Sequence, residues 1–210
     1  RILLPENEAR PSVSTTPIAA RPKPSAAANW LPETSRAALA AVAVLATVFF
    51  VTSCFPLNHT DLWAHLNFGR WIDTHGTLPA ADPFRSFAGS AEFLNVPWLA
   101  QWGGFRLYDW AGVDGLLLAH ASLVAVACGL VMLACRTRGV SAGLAVTAGA
   151  ASFLLALPVV GTFRPQLTGA VAFPLVLVGL GELTRRRHPL VWLPLVFALW
   201  ANLHGSFAVG

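Results

Sequence analysis

Five apolar stretches divide the chain, at roughly 37–57, 115–135, 140–160, 167–183 and 190–210. A membrane's hydrocarbon layer is ~30 Å thick and a helical residue rises ~1.5 Å, so a spanning helix needs about 20 apolar residues. The stretches 37–57, 115–135 and 140–160 meet that without a charge, the second containing His120. The stretch 167–183 is shorter and carries Glu182 at one end, and 190–210 carries Asn202 and His204 near its far end. The pattern predicts an all-α polytopic integral membrane protein with five transmembrane helices in this piece. The chain lacks an initiator Met and stops within an apolar stretch, so we expect it to be the N-terminal part of a longer bundle.

The segments between the stretches are unlike one another. Residues 1–36 hold six prolines among Ala, Ser, Thr and Arg, a composition that cannot bury enough surface to offset its ordering entropy and reads as a disordered tail. The loop 58–114 holds five of the eight tryptophans. Within it Asn58, His59 and Thr60 are N-cap candidates for a helix over about 61–74, which Gly76 would close. Leu62, Trp63, Leu66, Trp71 and Ile72 suit a helix lying at the membrane interface, where Trp prefers to sit. After an extended or turn segment around Asp82-Pro83, the pattern predicts a second amphipathic helix over about 97–110. The transmembrane domain is therefore 37–210, including this loop. No internal repeat and no heptad pattern stands out.

Charge orients the arrangement. Five basic residues lie in the tail, two in the turn Arg136-Thr137-Arg138 and three at Arg185–Arg187, which places ten of the fourteen on one side. Lys and Arg accumulate on cytoplasmic flanks, so the tail is expected inside the cell (inner) membrane and the loop 58–114 outside. With 55% apolar and 11% charged residues and a mean hydropathy of +0.60, the chain departs from a soluble domain, which is about 25% charged. The pI of about 9.6 follows membrane topology and does not argue for nucleic acid. Cys54, Cys128 and Cys135 are odd in number, lack metal spacing and read as small packing residues. The first apolar stretch begins too late and runs too long for a cleavable signal.

The polar residues suited to chemistry share the outer side. Asp61 and His65, four apart, occupy one helix face. A carboxylate beside an imidazole can take a proton from a hydroxyl or help hold a divalent cation; equally, Asp61 could serve the helix start and its dipole. Arg70 and Asp73 read as solvated or headgroup contacts. Asp82 is either a site carboxylate or a local Asx-Pro turn residue. Arg164, the only charge in a short outer turn, can bind phosphate bidentately or snorkel to headgroups. Gln166 is a ligand contact or a helix-start residue. Asn202 and His204 are polar groups at membrane depth, which tend to face a bundle interior or cavity. His120, alone in its stretch, reads as an interhelical hydrogen-bond partner. No charged residue lies near the midpoint of a stretch, which argues against an ion or solute pathway. Phosphate-loop, dinucleotide and His-Glu-x-x-His zinc motifs are absent.

Several segments together carry a resemblance. Asp61-Leu62-Trp63-Ala64-His65-Leu66 with Gly69-Arg70-Trp71-Ile72 is followed by Gly76 to Pro79, Asp82-Pro83-Phe84 and Trp98 to Gln101. Phe163-Arg164-Pro165-Gln166 and Trp200-Ala201-Asn202-Leu203-His204-Gly205 come later. Over about residues 40–210 the set resembles bacterial multi-pass membrane proteins of the GT-C glycosyltransferase type, many of them uncharacterised. The resemblance implies transfer of a sugar from a polyprenyl-phosphate donor to an extracytoplasmic acceptor. It implies Asp61 as the base or metal contact, Asp82 as a second acidic candidate and Arg164 facing donor phosphate. His65, Gln166, Asn202 and His204 would line the pocket. One departure is plain: the class usually shows an acidic pair, whereas Leu62 and Trp63 follow Asp61, so the metal is unknown and a divalent cation stays open. The alternative is a non-enzymatic lipid-binding, transport or assembly component.

Overall fold

A computed structural model describes residues 33–57, 60–84, 93–183 and 189–209, and among these the secondary structure is helical, without strands. The elements are α1 (Glu33–Ser53), α2 (Thr60–His75), α3 (Trp98–Thr137), α4 (Ala142–Val160), α5 (Gln166–Leu183) and α6 (Pro189–Leu203), then a 3₁₀ turn over Gly205–Val209. The tail 1–32 and the cap candidates Asn58 and His59 lie outside the described residues, as do Arg185–Arg187; α1 itself begins at Glu33, ahead of the apolar stretch.

Among the described residues three helices are long and apolar enough to cross a membrane: Ser35–Ser53, Trp98–Thr137 and Gln166–Leu183. The apolar runs Ala142–Pro158 and Val191–Leu203 are shorter. The outward faces agree with an apolar surround. Val42, Phe50, Leu144, Leu155, Val191 and Leu195 are all well exposed, an amount of bare apolar surface that a soluble monomer rarely tolerates.

The amphipathic helix over 97–110 and the helix of the apolar stretch 115–135 are both present, as two helices that meet at a kink and are numbered together as α3. They part at Gly112, whose φ of 62° lies in the left-handed region. Only glycine adopts that conformation at little cost. The last apolar stretch is not helical to residue 210: α6 stops at Leu203, and His204 and Gly205 lead into the 3₁₀ turn.

α3 is the central element, touching α1, α2, α4, α5 and α6. Small residues set the approach of its neighbours. Gly129 lies against Leu45 of α1, Gly149 of α4 against Met132 and the Cys128 carbonyl, and Gly181 of α5 against Thr137. Close approach at small residues is what binds helices where no hydrophobic drive exists between them. Phe163, ahead of α5, meets His120 edge-on with ring centroids 5.7 Å apart, while Gly181 meets the end of α3. α5 therefore runs parallel to α3, and α1 and α4 run antiparallel to it. His120 is fully buried in this aromatic contact, beside the Val160 backbone. With this topology the start of α5, the ends of α1, α4 and α6, and all of α2 gather at one end of the bundle.

Candidate functional site

α2 lies on α3 through Leu62 and Leu66, both buried with Leu116 and packed against Leu107, Tyr108 and Phe163. Gly69 makes the fit possible: a Cβ there would overlap the Gln101 carbonyl and Phe105. Gly76, at φ 65°, ends α2 as expected, its N–H bonded to the Ile72 carbonyl at 2.9 Å. This seating puts Asp61 in the first turn of α2 and His65 one turn on.

The 161–165 turn brings the guanidinium to them. Phe163 anchors it in the core, and α5 starts with the Leu167 N–H on the Arg164 carbonyl at 3.0 Å. The Thr168 hydroxyl donates to the Pro165 carbonyl at 2.6 Å. Arg164 Nη2 then lies 3.2 Å from Asp61 Oδ2, with side chains 37% and 53% exposed. Residues 103 apart in sequence thus form an ion pair. Being partly solvated, it is worth about 1 kcal/mol or less, so an anion of higher charge can displace the carboxylate.

Arg164, but not Asp61, also lines a cavity of about 230 Å³, with His65, Gln101 and Thr168 on its polar side and leucines of α2, α3 and α5 with Phe163 elsewhere. Gln101 carries no role in the sequence reading, yet it is 3% exposed and fully engaged. Asn95 Nδ2 donates to its Oε1 at 2.6 Å, and its Nε2 lies 3.2 Å from His65 Nδ1. With Oε1 occupied, the Gln101 amide donates to Nδ1, which leaves the ring's own proton on Nε2. The signal in the sequence was Gln101 itself, an amide in an apolar, tryptophan-rich helix, whose burial demands a partner.

The remaining candidates lie apart from this cavity. Asp82 accepts the Phe84 N–H at 2.9 Å, the local Asx-Pro turn that was its structural reading. Gln166 lines a second cavity of about 380 Å³ that shares Arg164 and Leu167 with the first. Asn202 accepts the Trp98 indole N–H at 2.8 Å, tying α6 to the start of α3. His204 Nδ1 accepts the Ser206 N–H at 3.0 Å and shapes the 3₁₀ turn, while its neighbour Leu203 reaches the first cavity. Asp73, read as a solvated or headgroup contact, accepts the Trp102 indole N–H at 2.9 Å and pairs with Arg106 at 3.5 Å. Among the described residues no three His, Cys, Asp or Glu side chains gather as metal ligands.

No family model, curated protein or solved structure matches the chain. The likeness to GT-C-type transferases therefore stands on the sequence segments alone.

Proposed function

We propose that this bundle end handles a polyprenyl-phosphate-linked sugar at the exoplasmic surface of the cell membrane, and transfers the sugar to an acceptor hydroxyl with inversion. The observation that supports this reading best is the Asp61–Arg164 contact, whose guanidinium also lines a largely apolar cavity. A guanidinium for phosphate then stands between a carboxylate for a proton and apolar walls for a lipid chain. The donor phosphate takes Arg164 from Asp61, and the carboxylate so released accepts the acceptor's proton. The acceptor oxygen bonds to the anomeric carbon as the bond to the phosphate oxygen breaks, and the lipid phosphate departs with the electron pair. Arg164 stabilises that departing charge, an effect that can contribute several kcal/mol when donors are preorganised. His65, held by Gln101, offers its Nε2–H as a neutral hydrogen-bond donor. A divalent cation at Asp61 would need substrate phosphate and water to complete its shell, as Mg²⁺ commonly does.

In this reading the N-terminus is cytoplasmic, and α1, the second part of α3, α4, α5 and α6 make five spans. Asp61→Asn is expected to abolish transfer from a polyprenyl-phosphate sugar in reconstituted vesicles while membrane insertion stays unchanged. Wild-type turnover by that variant would remove Asp61 as the base. One observation favours the non-enzymatic alternative, a lipid-binding component: about 230 Å³ is below the ~300–1,000 Å³ usual for small-ligand sites and suits a phosphate headgroup better than a whole sugar phosphate. Saturable binding of polyprenyl phosphate with no turnover by the complete protein would favour it.

A further inference from the structure

A third, wider groove of about 650 Å³ runs between the end of α2 and the start of α3, lined by Asp73, Gly76, Thr77, Trp98, Leu99 and Trp102 among others. Leu99 also lines the first cavity, the one at Arg164 and His65, so the two hollows share a wall. The volume is in the range that holds a small ligand, ~300–1,000 Å³. Both indoles are fixed by their N–H groups, Trp102 to Asp73 at 2.9 Å and Trp98 to Asn202 at 2.8 Å. The rings are thus held from α2 and from α6 before any ligand arrives, and Trp102 remains 39% exposed. Among the described residues nothing lies within 4 Å of where a Cβ at Gly76 would stand.

We propose that this groove binds a neutral saccharide unit. The apolar C–H face of a pyranose ring would lie on an indole, whose large rigid surface suits a flat, partly apolar partner. Its hydroxyls would donate to the Asp73 carboxylate, a charge-assisted bond, and exchange a bond with the Thr77 hydroxyl. The charge on the page selects among ligand classes. An anion would meet the Asp73 carboxylate, the only charged group lining the groove among the described residues. A quaternary ammonium would find that carboxylate already offset by Arg106 at 3.5 Å. An acyl chain would strip water from the carboxylate with no bond in return, which is costly. In the transfer reading the saccharide is the acceptor, delivered past Leu99 towards Asp61. Binding itself does not rest on that reading, since it can be measured without turnover.

Saturation-transfer NMR on the full chain in nanodiscs tests this with cellobiose, lactose and mannobiose, and with tetramethylammonium as the cationic competitor. We expect transfer to at least one disaccharide, strongest at ring C–H protons and weakened fivefold or more by Trp102→Ala and by Asp73→Asn. Trp102→Phe, which keeps an aromatic face, should retain more binding than Trp102→Ala and serves where the latter fails to fold. The proposal is overturned by folded protein that binds none of the three disaccharides, by preferential binding of tetramethylammonium, or by undiminished binding in Asp73→Asn together with either Trp102 variant.

Discussion

Gln101 shows how a side chain given no role by sequence inspection can organise a site by holding one that was, His65. It is buried at the α2–α3 contact and joins Asn95 to His65. Replacing it by leucine keeps the volume but strands an amide on one side and an imidazole nitrogen on the other. Leaving buried polar groups unmade costs about 1–3 kcal/mol. Gln101→Leu should therefore lower the thermal midpoint of the detergent-solubilised protein. A midpoint equal to wild type would mean that the amide contributes no net bond. Asp61 and Arg164 predict the opposite. Their pair is half-exposed, so Arg164→Gln should leave the midpoint within experimental scatter of wild type while weakening polyprenyl-phosphate binding tenfold or more. Unchanged lipid affinity would count against phosphate at Arg164.

At the scale of elements, the decisive contact is the seating of α2 on the first part of α3. Gly69 has backbone and Phe105 where a side chain would be, whereas Gly104, facing the same helix pair, has among the described residues only a Leu66 methyl at 3.8 Å. Gly69→Ala should therefore push the helices apart. Overpacking of this kind costs about 1–3 kcal/mol, and here it would also stretch the Gln101–His65 bond. Gly104→Ala should be tolerated. Equal thermal midpoints for the two variants would show that α2 is not held at this contact. The kink at Gly112 has a related role, since it joins the helix that carries α2 to the apolar helix that follows without a loop between them.

At the scale of the whole molecule, the gathering of α2, Arg164, Asn202 and His204 at one end is a property of the bundle, whereas the compartment which that end faces is a proposal that rests on the charge bias. In a background lacking Cys54, Cys128 and Cys135, Asp61→Cys should react with a membrane-impermeant maleimide in intact cells, and Arg138→Cys only after permeabilisation. The reverse pattern would invert the orientation and with it the exoplasmic site. The helices were legible along the chain because length, apolar character and punctuation are local: Gly76 ends α2 through its own backbone freedom, and the Asp82 carboxylate closes its turn on the Phe84 N–H. The parting of the two halves of α3 was legible as well, but not that they join at Gly112 without a loop, because periodicity does not record a φ that only glycine accepts. Nor was the division of the candidate residues, since Asp61 meets Arg164 while Asn202 turns to Trp98 and His204 to Ser206. By itself the sequence determined which segments are helical and apolar and which polar residues share an end. Only the tertiary structure decided which of those residues touch, because contacts between groups more than a hundred positions apart depend on how glycine-lined helices pack.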